Sequence, residues 1–334
     1  MTRLMNWCQQ RFTSRAKEMS SVSIAPFLRN RPAAVSLTFD DGSQDHFDIA
    51  FPVLNQFSFK GTFFVIPQLT RDRKIDPLKS GSSFERWGGV SWQEWQKIAE
   101  HHEIGNHSLS HQKLTELNST ELESDLESSA NLIHEKIGRP PISFCYPWNQ
   151  WDERVRTLVL KSHLITRDRH DIGFGAPNMD YEHIPDLLKS AVQQRRWLVA
   201  MFHGIDESSP SGRSYSITQN IFVKFLQQLK ERESDLWIDT FGHIGRYQMA
   251  AAATQIRILD KNETSLKVQV ACPLDPKKFD IELTLVLQHR WTRKPTQIFS
   301  IINGRHQDLS KAIRWKQSTL EFEIPAQSQL IEIR

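Results

Sequence analysis

The sequence predicts an α/β fold, a parallel sheet or barrel with helices outside it, followed by a small antiparallel β-sandwich. Three observations carry this. Short apolar runs closed by punctuation, Ala34-Val35-Ser36-Leu37 ahead of Gly42 and then Thr62-Phe63-Phe64-Val65, read as buried strands. Segments with helix start signals and one apolar face lie between such runs, so strand and helix alternate from Pro32 to about Tyr247. After the alanine run Ala250 to Ala253 the apolar period changes to two.

Taken in order, the first strand ends on Asp40-Asp41-Gly42 and the second is Thr62 to Val65. Ser91 and Glu94 form a capping box, and Trp92, Trp95, Ile98 and Ala99 fall on one face of the helix it opens, with Trp92 as a core anchor. His101 and His102 at the end of that helix are expected in solvent. Glu103-Ile104-Gly105-Asn106 then leads into His107. A long helix runs from Ser119 or Thr120 to about Ile137, with Leu122, Leu126, Ile133 and Ile137 as its stripe and Gly138 closing it. Strands follow at Ser143 to Tyr146 and at Leu198 to Phe202, a helix at Gln219 to Arg232, and a last strand at Leu236 to Ile238. Leu266, Val268 and Val270, then Ile281, Leu283, Leu285 and Leu287, then Leu320, Phe322 and Ile324 alternate with polar residues, as half-buried antiparallel strands do.

The chemistry concentrates in two short segments. Asp40 and Asp41 stand at a strand's C-terminal end, where neighbouring side chains point in different directions, so one carboxylate can ligate a cation while the other faces a bound water. His107 and His111 are four apart, which on a helical turn or in a tight loop puts two imidazoles on one side. An Asp-Asp-Gly triplet alone is commonly a solvated turn, and a single His-x-x-x-His is commonly a surface pair. Their joint appearance at strand ends, where barrels keep their chemistry, points to a metal site with a base beside it. Two histidines and one carboxylate leave a coordination position open, as in catalytic zinc-type sites. Such a donor set suits zinc, cobalt or nickel better than magnesium or calcium.

Thr38-Phe39-Asp40-Asp41-Gly42, Gly61-Thr62-Phe63-Phe64-Val65 and Glu103 through His111 resemble, in order and spacing, the polysaccharide deacetylase family, also called the NodB-homology family or carbohydrate esterase family 4. The resemblance covers about residues 31 to 249. It implies a distorted (β/α) barrel of about seven strands over residues 31–249, the catalytic domain; residues 1–30 are then a lead segment, and the alternating pattern makes 255–334 the sandwich. It implies that Asp41, His107 and His111 hold a divalent metal, most often zinc, and that Asp40 is the general base. His203, after Leu198 to Phe202 and before Gly204, is similar to the family's last histidine motif, which makes it the general acid. Cys145-Tyr146-Pro147-Trp148 stands where the family has Arg-x-Pro-Tyr, so the Trp148 N–H is the candidate oxyanion donor. The arginine that pairs with the base is replaced by Cys145. Arg167 or Arg169, after the apolar run Leu164 to Thr166, is the candidate substitute. Tyr146, Trp148, Trp87 and Trp151 are the candidate substrate contacts, because sugar C–H faces stack on indoles. His46 either lines the cleft or starts a helix, and His163, His170 and His183 have no assigned partner.

Composition bounds the rest. In 334 residues, 42 basic and 39 acidic side chains leave a net charge of +3, and no basic run with interleaved aromatics appears, which argues against nucleic acid as a partner. Cys8, Cys145 and Cys272 are too scattered for a disulfide framework. Met1 to Ser20 lacks the apolar stretch of an export signal, and no membrane span is expected. The expected location is the cytoplasm, with periplasm or secretion reopened by any upstream extension. The leading function is metal-dependent deacetylation of a carbohydrate, N-acetyl amino sugars first, a hydrolase reaction at a C–N bond that is not a peptide bond. The alternatives are an O-acetyl esterase on a glycan, an amidohydrolase on a small non-sugar substrate, and a glycan-binding protein without turnover.

Overall fold

Alternating Val35, Leu37 and Phe39 with Ser36, Thr38 and Asp40 makes the longest strand of the larger unit, β2 (Ala33–Asp41), and eight of its nine residues are buried. The computed structural model describes residues 21–70, 89–206, 215–262, 265–289, 291, 293–316 and 318–334. Burial on both faces is the mark of a parallel strand, and β2 pairs in parallel with β3 (Gly61–Val65) on one side and β8 (Trp197–Phe202) on the other. The sheet continues through β4 (Glu103–Asn106), β5 (Ser143–Cys145) and β6 (Ile165–Arg167) beyond β3, and through β7 (Ile172–Gly173) beyond β8. A short strand, β11 (Leu236–Ile238), pairs with the start of β2. Every pairing in this sheet is parallel, so the C-terminal ends of β2, β4, β5, β6 and β8 share one rim.

Parallel neighbours need crossover helices, and the sequence supplies their caps. Phe51–Phe57 is α1 and Trp92–Ala99 is α2, the latter opened by the Ser91 and Glu94 capping box as expected. Asn118 and Glu121 make a second capping box at the head of α3 (Ser119–Ile137), and Gly138 closes it at φ 82°. The remaining helices are α4 (Glu153–Ser162), α5 (Ile184–Gln194), α6 (Gln219–Glu231) and α7 (Phe241–Ala253). Between sheet and helices Phe39 stacks on Phe63 at 4.6 Å and on Phe202 at 5.0 Å, and Trp95, Ile98, Phe222 and Phe225 join the same apolar cluster. On the opposite face of β2 the side chains are polar and satisfied: Ser36 Oγ accepts from Trp197 Nε1 at 3.0 Å, and Thr38 Oγ1 donates to Ala200 O at 2.8 Å.

The chain divides into two compact units, Pro26–Ala252 and a second unit of Ala253–Arg334 joined by β1 (Val22–Ile24). The second unit holds two antiparallel sheets. One contains β1, the strand Glu282–Gln288, the strand Thr319–Pro325 and the short strand Arg314–Trp315. The other is built on Gln255–Lys261, Leu266–Ala271, Leu330–Ile333, Ile298–Ile302 and Arg305–Asp308. Val22–Ile24, expected in a lead segment, is thus a strand paired with Leu285 to Leu287; three residues carry too little pattern to be read alone. Among the described residues no helix is long and apolar enough to cross a membrane.

One expectation fails here. His102 is buried, not solvated. Its Nδ1 accepts the Gly61 N–H at 3.0 Å, its Nε2 faces Asn55 Oδ1 at 3.2 Å, and the rings of Phe51 and Phe63 pack edge-on against it. Only the neutral ring, protonated on Nε2, satisfies both bonds. Burial, then the nearby positive charges of His101 and Lys60, pushes its pKa from 6.5 to about 4. A pKa lower in the folded than in the unfolded chain stabilises the fold above pH 6.5, and that stability is lost as pH falls towards 4. The shift corresponds to roughly 3 kcal/mol. Urea titrations at pH 7 and pH 4.5 are expected to show a smaller loss of stability in His102→Gln than in the parent chain. Equal losses would contradict this account.

Candidate active site

The rim of the sheet gathers the chemistry. At the end of β2 the backbone turns left-handed, with φ 75° at Asp41 and 83° at Gly42. A side chain at residue 42 would bring its Cβ to 2.8 Å from the Trp95 ring, so glycine is required there for space as well as for φ. This turn separates the two aspartates. Asp40 stays in the strand and faces the polar interior, while Asp41 swings towards His107 and His111. Those histidines lie in the loop after β4 and not on a helical turn: Ser108 and His111 both have positive φ, and Ser108 Oγ accepts the His111 N–H at 3.0 Å.

Asp41 Oδ1 lies 3.5 Å from Nε2 of both His107 and His111, and the ligand atoms of the three residues fall within 4.8 Å of one another. His107 Nδ1 is 2.8 Å from Cys145 O, which fixes its N–H there and turns Nε2 towards Asp41. Burial and then the neighbouring His107 push His111 down to about pKa 4, so its ring is neutral at pH 7. Burial alone would lower His107 too, but the Cys145 sulfur and the Asp41 and Asp40 carboxylates raise it well above 6.5. Asp41 Oδ1 is itself buried without a hydrogen-bond partner. Without a cation His107 keeps a proton on Nε2; once a cation displaces it, the two Nε2 atoms and the unsatisfied carboxylate oxygen form a donor set that fits a divalent cation with nitrogen and oxygen preferences.

Asp40 is held differently. Arg167, at the end of β6, donates from Nη1 to Asp40 Oδ1 at 2.8 Å and from Nη2 to Asp40 Oδ2, a bidentate pair in which the side chains are 1 % and 3 % exposed. Nη1 also reaches Thr38 Oγ1 at 2.8 Å and Nη2 reaches Cys145 Sγ at 2.8 Å. Burial would raise the Asp40 pKa, but the Arg167 cation, then His203 and His107, bring it below 3.8. Arg169 is exposed and takes no part. The register explains the choice: Cys145 and Arg167 are direct partners across β5 and β6, so Arg167 passes over the small Cys145 side chain to reach Asp40. His203, at the end of β8, places Nε2 3.9 Å from Asp40 Oδ2.

The other expected contacts scatter. Trp148 sits beside the histidines, its Nε1 donating to His111 O at 3.1 Å and its ring 5.0 Å from the His111 ring. Tyr146 is a correction: its ring is buried between Phe144 and Trp151 and offers no exposed face, because strand alternation turns it into the second apolar cluster. Trp151 is half-buried in the same cluster, under the Arg156 guanidinium. Trp87 lies outside the described residues. His46 starts a helical turn, His46–Ala50, and donates from Nε2 to His203 O at 2.5 Å. Sequence reasoning missed His170, a half-buried ring whose pKa is pushed down by burial and then by the Arg167 cation. No spacing motif could have found it.

The site is therefore a parallel sheet whose rim joins an Asp-Asp-Gly turn to a His-Ser-Leu-Ser-His loop. Residues 28–164 match the model of the family described as Polysaccharide deacetylase, and both the Asp40-Asp41-Gly42 turn and the His107 to His111 loop fall within the matched stretch. Two curated relatives match. Gellan lyase of Bacillus sp is 21% identical over 305 residues, 80% of this chain and 11% of that protein. YxkH of Bacillus subtilis (strain 168), whose name carries a provisional polysaccharide deacetylase assignment, is 25% identical over 129 residues, 38% of this chain and 41% of that one. The match therefore spans about a tenth and two fifths of these relatives' lengths. Similar solved structures include the Xyl-CE4 domain of a multidomain xylanase from the hindgut metagenome of Trinervitermes trinervoides, at 15% identity and TM-score 0.44, covering 64% of this chain and 89% of that chain. Peptidoglycan deacetylase PdaC from Bacillus subtilis has 18% identity and TM-score 0.41, over 66% and 92% of the two chains. A family 4 carbohydrate esterase from Streptomyces lividans in complex with acetate has 17% identity and TM-score 0.41, over 63% and 92%.

The Asp40 and Arg167 pair is expected to behave as a unit. Arg167→Met leaves a buried carboxylate uncompensated and should cost about 3–5 kcal/mol in urea denaturation. In a double-mutant cycle Asp40→Asn with Arg167→Met should lose less than the sum of the single variants. Additive losses would mean that the two groups are independent.

Proposed function

We propose that the protein is a metal-dependent hydrolase that removes acetyl groups from a carbohydrate, with N-acetyl amino sugars of a poly- or oligosaccharide as the substrate class. The observation that carries this reading is the convergence of the Asp41, His107 and His111 trio with an Arg167-paired Asp40 and with His203 on one rim. Asp41, His107 and His111 would hold the divalent cation, zinc in first place and cobalt or nickel otherwise. When bound, such a cation supplies Lewis-acid polarisation of the acyl carbonyl and makes water a stronger acid.

The chain's own groups would do the rest. Asp40 is the base: Arg167 keeps it ionised, and because a carboxylate offers about four lone-pair positions, the bidentate pair leaves room for a water proton. The Trp148 N–H would donate to the carbonyl oxygen as charge develops on it. The water oxygen bonds to the acetyl carbon, the C–N bond breaks, and the amine nitrogen takes a proton from His203, leaving acetate and a free amino sugar.

Acetate release from acetylated oligosaccharides and matched acetyl esters tests this. Chelation is expected to abolish release and zinc or cobalt to restore it, and Asp40→Asn should lower turnover by about 10²–10⁴-fold. Amide and ester substrates compared in one panel separate N- from O-deacetylation. Release that survives chelation and Asp40→Asn would sink the proposal.

A further inference from the structure

We infer that Asp45 and His46 are positioning residues for His203: their side chains take the place of a missing strand beside the segment that carries it, and so set its reach to Asp40. The inference rests on the hydrolase reading above, in which His203 is the acid, and names the groups that aim it.

The parallel sheet does not itself fix His203. β2 pairs with β3 as far as Asp41 and Val65, but with β8 only as far as Phe39 and Phe202. Past that point β2 turns left-handed at Asp41 and Gly42, while the chain after Phe202 runs on and is extended again as β9 (Gly204–Asp206). In an extended chain the N–H and C=O of one residue point to one edge and those of the next residue to the other. On one edge the Gly204 N–H donates to Tyr215 O at 3.4 Å, and β9 pairs in parallel with β10 (Ser216–Thr218). On the other edge the groups are met by side chains: His203 O accepts from His46 Nε2 at 2.5 Å, and the Ile205 N–H donates to Asp45 Oδ2 at 2.5 Å. A C=O and an N–H two residues apart are what a neighbouring strand would satisfy, so two adjacent side chains here replace one strand.

Both side chains stand on the turn that carries the base. The His46 N–H donates to Ser43 O at 2.9 Å, and Gly42 O accepts the Val90 N–H at 3.1 Å, so the turn is tied down at both ends. The His46 ring is fully buried, with the rings of Phe39 and Phe63 at 5.6 and 5.9 Å and interplanar angles of 70° and 58°. Those two walls leave the imidazole one direction, and because a carbonyl only accepts, Nε2 carries the proton. Phe39 immediately precedes Asp40, so the ring that aims His46 belongs to the strand that ends on the base. Asp40, His46 and His203 therefore share one frame, within which His203 Nε2 lies 3.9 Å from Asp40 Oδ2. Proton transfer demands such a frame, since a displacement of about 1 Å can cost about 10²-fold in rate.

The test uses the full chain with two substrates, the N-acetylglucosamine tetramer, whose amine must be protonated as it leaves, and para-nitrophenyl acetate, whose phenolate leaves without a proton. His46→Phe keeps a flat buried ring but no donor, and should lower the amide-to-ester ratio of kcat by about 10-fold or more. His46→Gln keeps an N–H donor and should restore most of that ratio. In the His203→Ala background, where the acid is already gone, His46→Phe should lower the ratio no further. Asp45→Ala leaves the buried ring in place and gives a second reading: amide exchange at Ile205 should quicken by about 10-fold or more, with Leu198 and Ala200 in β8 exchanging as in the parent. If the parent hydrolyses neither substrate while Asp45→Ala quickens exchange at Ile205, the hold on the His203 segment stands and the hydrolase reading falls. Equal losses on amide and ester in His46→Phe, a further loss in the His203→Ala background, or unchanged exchange at Ile205 would overturn the inference.

Discussion

A carboxylate sealed from water stays charged only if something compensates it, and the Asp40 and Arg167 pair is the compensation on which this site depends. Asp40 cannot leave its strand, because β2 lies between β3 and β8 and is buried along almost its whole length. The guanidinium must come to it. Of the five guanidinium donors, four are used, on Asp40 twice, on Thr38 and on Cys145, while Nε is buried without a partner. The Phe64 ring lies 5.2 Å beneath the cation. Thr38 in turn donates to Ala200, so one arginine ties β6 to β2 and, through Thr38, to β8.

From that fixed point the division of labour between adjacent aspartates follows from the backbone. A strand alternates its side chains, but alternation alone would send Asp41 into the helix-facing core with Phe39. The left-handed backbone at Asp41 and Gly42 instead turns its side chain towards His107 and His111. A non-glycine residue in that region costs of order 1–3 kcal/mol, and strain of this kind persists where the surroundings over-determine it. Here Trp95 closes behind Gly42, and the Gly42 N–H donates to Asp40 O at 3.0 Å.

Most of this was legible in the sequence wherever a residue's neighbours along the chain decide its role. The Ser91 and Glu94 capping box, the Gly138 helix end and the strand ending on the Asp40 and Asp41 pair rest on local rules and appear in the structure. His102 and Tyr146 were misjudged because their roles are decided across the sheet: Gly61 donates to the one, and the cluster around Phe144 buries the other. The hold of Asp45 and His46 on the segment after β8 left no signal at all, since two neighbouring polar residues carry no pattern until the turn after Gly42 brings them to it. Arg167 lies between these cases. Strand order pointed to the segment, but only the register of β5 against β6 separates Arg167 from Arg169.

That register also gives Cys145 a meaning. Side chains that are partners across parallel strands stand side by side on the same face, about 4.8 Å apart, so two long side chains at 145 and 167 would compete for one route to Asp40. A cysteine leaves the route open and adds a weak acceptor for the Nη2 proton that Asp40 does not take. Its backbone carbonyl meanwhile orients His107 towards Asp41. One small residue therefore lets the guanidinium approach Asp40 from a neighbouring strand while its main chain orients the His107 ring. The positive charge beside Asp40 is thus supplied by Arg167 from β6, the strand alongside Cys145.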